Sequence, residues 1–328
     1  MSFKQKLLLF TAVLLLSCAL GGCGGGVGRQ TLKLSVAAPE DSVWHVAAGT
    51  FAQLVEENSG GRWRVEIAVE KSGQGIERLL DGKTEFDIRS VEDFTEQQTQ
   101  LSVFSLPWLF TDAQSVDTRL FNGDGREVVF AKIRDIGLEP LALAENGFRQ
   151  VSNNRRPVTA PADFRGLSIV VQDGVMEAGL FAGFGAEPLL LAPEETFPVL
   201  RDGGADGQQN TLDAIRTAQI DKVQGYLTVW NGAYDPLCFS ASPVFWDKLN
   251  EEEQSLFRTA AQEACAAEIA ASRALDSELL SKFRNAGVEV TVLNEQQRQA
   301  FRVAAEPLYE MWQEQHGREL LDSLGYFG

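Results

Sequence analysis

Two histidines and four cysteines in 328 residues leave little material for metal or nucleophile chemistry. Cys238 and Cys265 do not stand at metal-ligand spacing, Cys18 and Cys23 fall in the N-terminal apolar segment, and His45 and His316 are far apart in the chain, so no metal site is expected. The sequence also contains no GxSxG elbow, GxxxxGKS phosphate loop, HExxH pair or GxGxxG fingerprint, so no motif supports catalysis and no cofactor is implied. Basic residues are scarce: 29 Lys and Arg stand against 46 Asp and Glu, for a net charge of −17. That excess argues against nucleic acid as a partner and against electrostatic attachment to anionic lipid. Against such a background an arginine in an apolar segment stands out. DGGADG at Asp202 to Gly207 superficially resembles a calcium loop, but it lacks the alternating oxygen ligands and the closing glutamate.

No apolar run approaches the ~20 residues of a membrane-spanning helix. The run Leu7 to Leu16 follows Lys4 and Lys6 and precedes small residues, which is the layout of a secretory signal over 1–22. LGGC at Leu20 to Cys23 fits a bacterial lipobox, with LLSC at Leu15 to Cys18 the weaker candidate. Cys23 is therefore the expected lipidation site, and 23–30 the flexible tether between membrane and globular body. Removing 1–22 takes away two lysines and no acids, leaving 46 acids against 27 bases, or −19. Cys238 and Cys265 would then remain, either as a disulfide or as two separate buried residues in apolar surroundings.

The ~300 residues that follow exceed the usual single core, so two domains are expected. TLKLSVA at Thr31 to Ala37 alternates as a strand, Ser42 to Asn58 carries helical spacing, and RWRVEIAV at Arg62 to Val69 alternates again. Gly75 to Leu80 reads as a short helix, Phe86 to Ser90 as a strand, 112–121 and 126–136 as helices, and Leu138 to Ala144 as a strand closing the block. The pattern restarts with strand Leu167 to Val171, helices Gly174 to Phe184 and Glu195 to Arg201, and a strand leading to Tyr226. Phe239 to Ser242 reads as a strand returning to the first domain. One helix runs from Asn250 to about Ala286 without Pro or Gly, followed by strand Val288 to Leu293 and a helix from Glu295 to about His316. Alternating strands and helices predict an α/β fold with a largely parallel sheet covered on both faces, the long helix serving as a strut between two lobes.

Several blocks carry a family resemblance: FAQLVEENSGGR at Phe51, LPWLFTD at Leu106, NGFRQVSNNRRPVTAPADFRGLSIVV at Asn146, GAEPLLLAPEETF at Gly185 and ADGQQN at Ala205. In order and spacing the chain resembles the extracytoplasmic solute receptors of TRAP transporters, the tripartite ATP-independent periplasmic systems. Their usual pattern is NGxRxxxNxxxPxxxPxDxxGxKxRV followed by VDGQEN. The resemblance implies a two-lobed clamp, with 31–147 plus 237–275 as lobe I and 148–236 plus 276–328 as lobe II. It also implies a small organic acid or related solute as ligand, membrane transporter subunits as partners, and a place on the periplasmic side of a bacterial envelope. A ligand-sensing or scaffolding lipoprotein is the alternative.

By the same resemblance Arg149 matches an arginine suited to a carboxylate, and Asn210 a position whose amide faces the cleft. Gln209 stands where the family has Glu, and Val170 where it carries a second arginine. A guanidinium at Arg149 can hold a carboxylate in a bidentate pair or make an interlobe salt bridge. Loss of a charge-assisted bond at Val170 would weaken a carboxylate by about one to two decades. Two compensations are expected: Arg89, placed on a cleft-facing loop after a strand, as a relocated guanidinium, or a less anionic ligand favoured by Asp173. Trp230 lies in a region that lines the cleft in the family, with core packing the commoner role for such a Trp. His45 could reach the cleft from the first helix or cap it in water.

Overall fold

Alternating segments become strands here where a helix is available to cover the apolar face. The computed structural model describes residues 29–70, 75–172 and 174–326. The signal segment, Cys23, most of the tether, the loop 71–74 and Asp173 lie outside the described residues. Two sheets form two lobes. The first contains β1 (Gln30–Val36), β2 (Trp63–Val69), β3 (Phe86–Ser90), β4 (Glu139–Phe148) and β10 (Tyr234–Ala241), in the order β2-β1-β3-β10-β4. The second contains β5 (Gln150–Asn153), β6 (Ser168–Val171), β7 (Glu187–Leu190), β8 (Gly207–Asn210), β9 (Tyr226–Val229) and β11 (Glu289–Val292), in the order β11-β9-β5-β8-β6-β7.

Neither sheet is wholly parallel. β10 runs antiparallel to both β3 and β4, and β5 runs antiparallel to both β8 and β9. These are the strands each lobe receives from the other: the chain leaves β4 for β5 at residue 149 and leaves β9 for β10 across 230–233. The two crossings are pinned together, since Arg149 N donates to Ala233 O at 2.8 Å and Gly232 N to Arg149 O at 3.2 Å. The expected largely parallel sheet is thus corrected at its two crossover strands.

A hydrophobic cluster including Leu34, Phe51, Phe86, Phe239 and Phe257 packs one face of the first sheet against the first helix (Trp44–Asn58) and the long helix (Glu251–Asn285). A second, including Val170, Leu200, Leu212, Ile215 and Phe283, packs one face of the second sheet against the far end of that helix. The 35-residue helix therefore does span both lobes. Asn250 caps it in a box with Glu253, acids fill its first turn, and Lys282 and Arg284 its last, so both ends match the helix dipole. A third cluster joins the remaining faces of the two sheets through Trp108, Phe164, Trp230 and Phe301.

Candidate ligand-binding cleft

The break between β4 and β5 puts Arg149 where the lobes meet, and a bulge prepares it. Asp235 pairs with Gly147 while Pro236 pairs with Glu145, so Asn146 is the extra residue on β4. Gly147 adopts φ 104°, a backbone that side-chain-bearing residues rarely take. The bulged Asn146 joins both lobes. Its carbonyl accepts from Trp44 Nε1 at 3.1 Å and Thr211 Oγ1 at 3.0 Å, while its amide donates to Asp235 Oδ2 at 2.7 Å. Nearby, Ser42 Oγ and Val43 N donate to Asp213 Oδ2 at 2.8 and 2.9 Å, and Arg216 joins Asp213 to Asp41.

The Arg149 side chain is buried and ion-paired. Its Nη2 donates to Glu92 Oε2 and lies 3.3 Å from Asp235 Oδ2, and both acids are themselves buried. Ser105 Oγ donates to Glu92 Oε1 at 3.0 Å, and Ser90 Oγ to Asp235 Oδ1 at 2.5 Å. Glu92 belongs to the first lobe, in the 3-10 turn after β3, so this is an interlobe salt bridge. Of the two roles that the sequence leaves open for Arg149, the bridge is visible.

Gln209 shares this side of the second sheet. Val151 pairs with Gln209 across the β5–β8 ladder, and alternation sets Arg149 on the same face as both. Gln209 Nε2 donates to Glu177 Oε1 at 2.9 Å, and Glu177 Oε2 accepts from Gln172 N. Among the described residues, the buried Gln209 Oε1 meets no hydrogen-bond donor. Asn210 turns the other way: its amide donates to Gln172 Oε1 at 3.3 Å and its carbonyl accepts from Thr211 N. Thr211, not Asn210, supplies the N-cap of the following helix.

Two expectations about placement, those for Val170 and Arg89, need correction. Val170 pairs with Gln208, so it lies on the sheet face opposite Gln209 and packs into the Leu200–Leu212–Ile215 cluster, fully buried. Arg89 is not on a loop but inside β3, 1% exposed, with Nε 2.5 Å and Nη2 2.9 Å from the Asp87 carboxylate. Its guanidinium lies so close to Gly75 that a Cβ there would stand 1.6 Å from Nη2, so a side chain at that position would have to displace the guanidinium from Asp87. Trp230 is fully buried, donates Nε1 to Arg149 O at 3.1 Å and meets Trp108, Phe164, Phe181 and Phe301. His45 is half-buried, with Nε2 3.3 Å from Ala38 O. The acids Glu92, Asp235 and Glu177 were not singled out from sequence. Their signal is an acid inside an apolar segment, as in RSVEDF and GAYDPLCF.

Behind the crossing lies a belt of further acids on β4 and the long helix. Arg273 Nε and Nη2 bond Glu145, which also accepts from Tyr234 OH. Burial, above all, pushes the Glu145 carboxyl up, and pushes that of Glu268 well above the usual range. Asp276 is pushed up to about 7, first by burial and then by the charges of Glu145 and Asp213. A carboxyl raised in this way binds more protons folded than unfolded. Its contribution to stability is complete below the unfolded value near pH 4 and is lost as pH climbs through about 7. We therefore expect Asp276→Asn to stabilise the protein by about 1–2 kcal/mol at pH 8, after discounting for partial solvent screening, and to have little effect at pH 4. Urea melts of both proteins across that range read this directly; an equal effect at both ends would refute the assignment.

Cys238 and Cys265 are free and buried, and burial pushes the Cys238 thiol up to about 12. Among the described residues no cluster of His, Cys, Asp and Glu could hold a metal, and no helix is long and apolar enough to cross a membrane.

The architecture has known counterparts. The family model for bacterial extracellular solute-binding protein, family 7 (DctP), matches residues 34–315. The C4-dicarboxylate-binding protein DctB of Bacillus subtilis is 28% identical over 298 residues, covering 89% of this chain and 85% of its own. A TRAP periplasmic solute-binding protein from Ralstonia eutropha H16, solved with (S)-2-acetolactate, superposes with a TM-score of 0.83 at 27% identity, covering 90% of this chain and 98% of its own. A sugar acid binding protein from Advenella mimigardefordensis, in complex with galactonate, gives 0.82 at 27% identity, with 90% and 98% covered. With the crossed two-sheet clamp and a match over most of its length, the chain belongs to the family 7 (DctP) bacterial extracellular solute-binding proteins, receptors of TRAP transporters.

Proposed function

We propose that this receptor closes on a small organic acid or a related polar solute at the interlobe cluster of Arg149, Glu92, Asp235 and Gln209, and presents the closed form to transporter membrane subunits. The observation that carries the reading is the position of Arg149, at the pinned crossing of the two sheets and bonded to the opposite lobe. Such a group senses whether the lobes are together. Closure requires the ligand to bind the closed form more tightly than the open one. The lobes are taken as 31–147 plus 237–275 and 148–236 plus 276–328, with the last helix (Glu319–Ser323) returning to pack beside the first lobe. Binding without turnover is the proposed activity, since no catalytic motif occurs in the sequence. The lipobox at Leu20 to Cys23 supports a lipid anchor at Cys23 on the periplasmic side of the envelope.

A thermal-shift screen of the domain from residue 24 onward tests the reading. Ligand at 100 times its dissociation constant should stabilise the fold by ~2.7 kcal/mol. Silence across organic acids, amines, amino acids and polyols would remove the receptor assignment.

A further inference from the structure

The first helix (Trp44–Asn58) begins without a cap of its own. Its N-cap residue, Val43, has no side chain able to accept from the free N–H groups, and no acid stands in the first turn. The acceptor comes from the other lobe. Asp213, in the short helix (Leu212–Thr217) after β8, takes Val43 N at 2.9 Å and Ser42 Oγ at 2.8 Å on its Oδ2. Ser42 Oγ in turn accepts from Trp44 N at 3.4 Å, and the carboxylate meets the positive end of the helix dipole. The first helix packs on the first sheet through Ala47 and Phe51, and the short helix on the second through Leu212 and Ile215. The cap therefore crosses between the lobes.

Other bonds lie along the same seam. Arg216, one turn after Asp213, donates Nε and Nη2 to Asp213 Oδ1 at 2.9 and 2.7 Å, and reaches across to the Asp41 carboxylate and carbonyl. Thr211, which caps the short helix, donates Oγ1 to Asn146 Oδ1 at 3.0 Å. Asp41 is exposed, so its pair with Arg216 counts for little, and the buried bonds at Asp213 carry the seam. Each Asp213 oxygen accepts two bonds, which fills it. All of these partners are groups of the chain itself, so the seam forms with or without a solute. A hydrogen bond to a charged group shifts an equilibrium by roughly ten- to a hundredfold, and two-state proteins are commonly biased by roughly ten- to a thousandfold. The two interlobe bonds at Asp213 are enough to set such a bias.

We propose that Asp213 latches the two lobes together without solute, so that the empty receptor rests closed and a solute enters only when the latch parts. The consequence for solute entry rests on the receptor reading above; the latch itself does not. Opening leaves Asp213 with Arg216 alone and exchanges the bonds of Val43 and Ser42 for water. Such a latch slows both entry and escape. Asp213 is a positioning residue, since the protein already fills its oxygens.

Small-angle scattering and hydrogen exchange of the domain from residue 24, with no solute added, test the latch. Asp213→Asn keeps the shape but replaces one acceptor oxygen with an amide, which cannot take the bonds of Val43 and Ser42 together with those of Arg216. We expect its radius of gyration to exceed that of the unaltered protein. Exchange of the Val43 amide should quicken by about tenfold or more, while the long helix at 251–285 and the circular dichroism stay unchanged. Ser42→Ala removes one of the two interlobe bonds and should move the radius and the Val43 exchange in the same direction by less. This second variant decides the question if Asp213→Asn does not fold. Equal radii for the unaltered protein and the folded variant, or unchanged exchange at Val43, overturn the latch. Either result leaves the receptor reading standing, because neither measurement uses a solute; a silent solute screen removes the receptor reading and leaves the latch.

Discussion

Arg149→Ala is expected to destabilise the fold by about 3–5 kcal/mol, the range for removing one partner from a buried ion pair. The loss comes less from the missing attraction than from what remains. Glu92 and Asp235 would face each other inside the protein without the guanidinium that joins them, and each is only 2% exposed as a side chain. For a chain of this size that corresponds to a melting temperature lower by on the order of 10 °C. Arg149→Lys should fall between, because it keeps the charge but its ammonium is more strongly hydrated and reaches less far than the Nη2 that meets both acids. Calorimetric melts at pH 7 measure both variants. The interlobe strut would be refuted by Arg149→Ala melting within 2 °C of the unaltered protein. Because the pair joins the 3-10 turn after β3 to the β4–β5 crossing, the variant should also lose the thermal shift given by any ligand of the closed clamp.

Trp230→Ala is expected to cost about 3–5 kcal/mol as well, but for a different reason and with a different signature. The indole is the largest fully buried side chain at the β9–β10 crossing and packs against rings from both lobes. Its N–H also bonds the Arg149 carbonyl, so truncation leaves a cavity and removes a hydrogen bond at the point where the two crossings are pinned. Trp230→Phe keeps part of the packing and should cost less, with the carbonyl bond lost in both. If Trp230 is core and not cleft lining, ligand affinity measured well below the melting point should change by less than about threefold in Trp230→Phe. An affinity loss larger than tenfold with little change in stability would return Trp230 to the ligand.

Much of the architecture is legible from local pattern. Gly75–Leu80, Phe86–Ser90 and the span of the long helix follow from alternation, helical spacing and the Asn250 cap, all of which act within a few residues. The short strands β5, β7 and β8 were not legible as strands. GQQN at β8 has no apolar alternation, and it is a strand because β5 and β6 flank it and satisfy its backbone. β5 is likewise held from both sides, by β8 and β9.

Within the site, Arg149 was legible because it stands at the arginine position of the NGxR motif that the chain shares with the family. Its partners were not, since Glu92 and Asp235 lie 57 and 86 residues away in sequence. The face that each residue occupies was decided the same way. Val170 and Gln209 lie on adjoining strands, but ladder register alternates side chains between the two faces of a sheet, and register is set by which strands pair. The sequence by itself determined the family, the two-lobed plan and the presence of one telling arginine, because those depend on local pattern and on motif order. Only the tertiary structure decided that this arginine is already neutralised and that Val170 faces away from it, because ion pairing and facing are set by strand crossings that join distant parts of the chain.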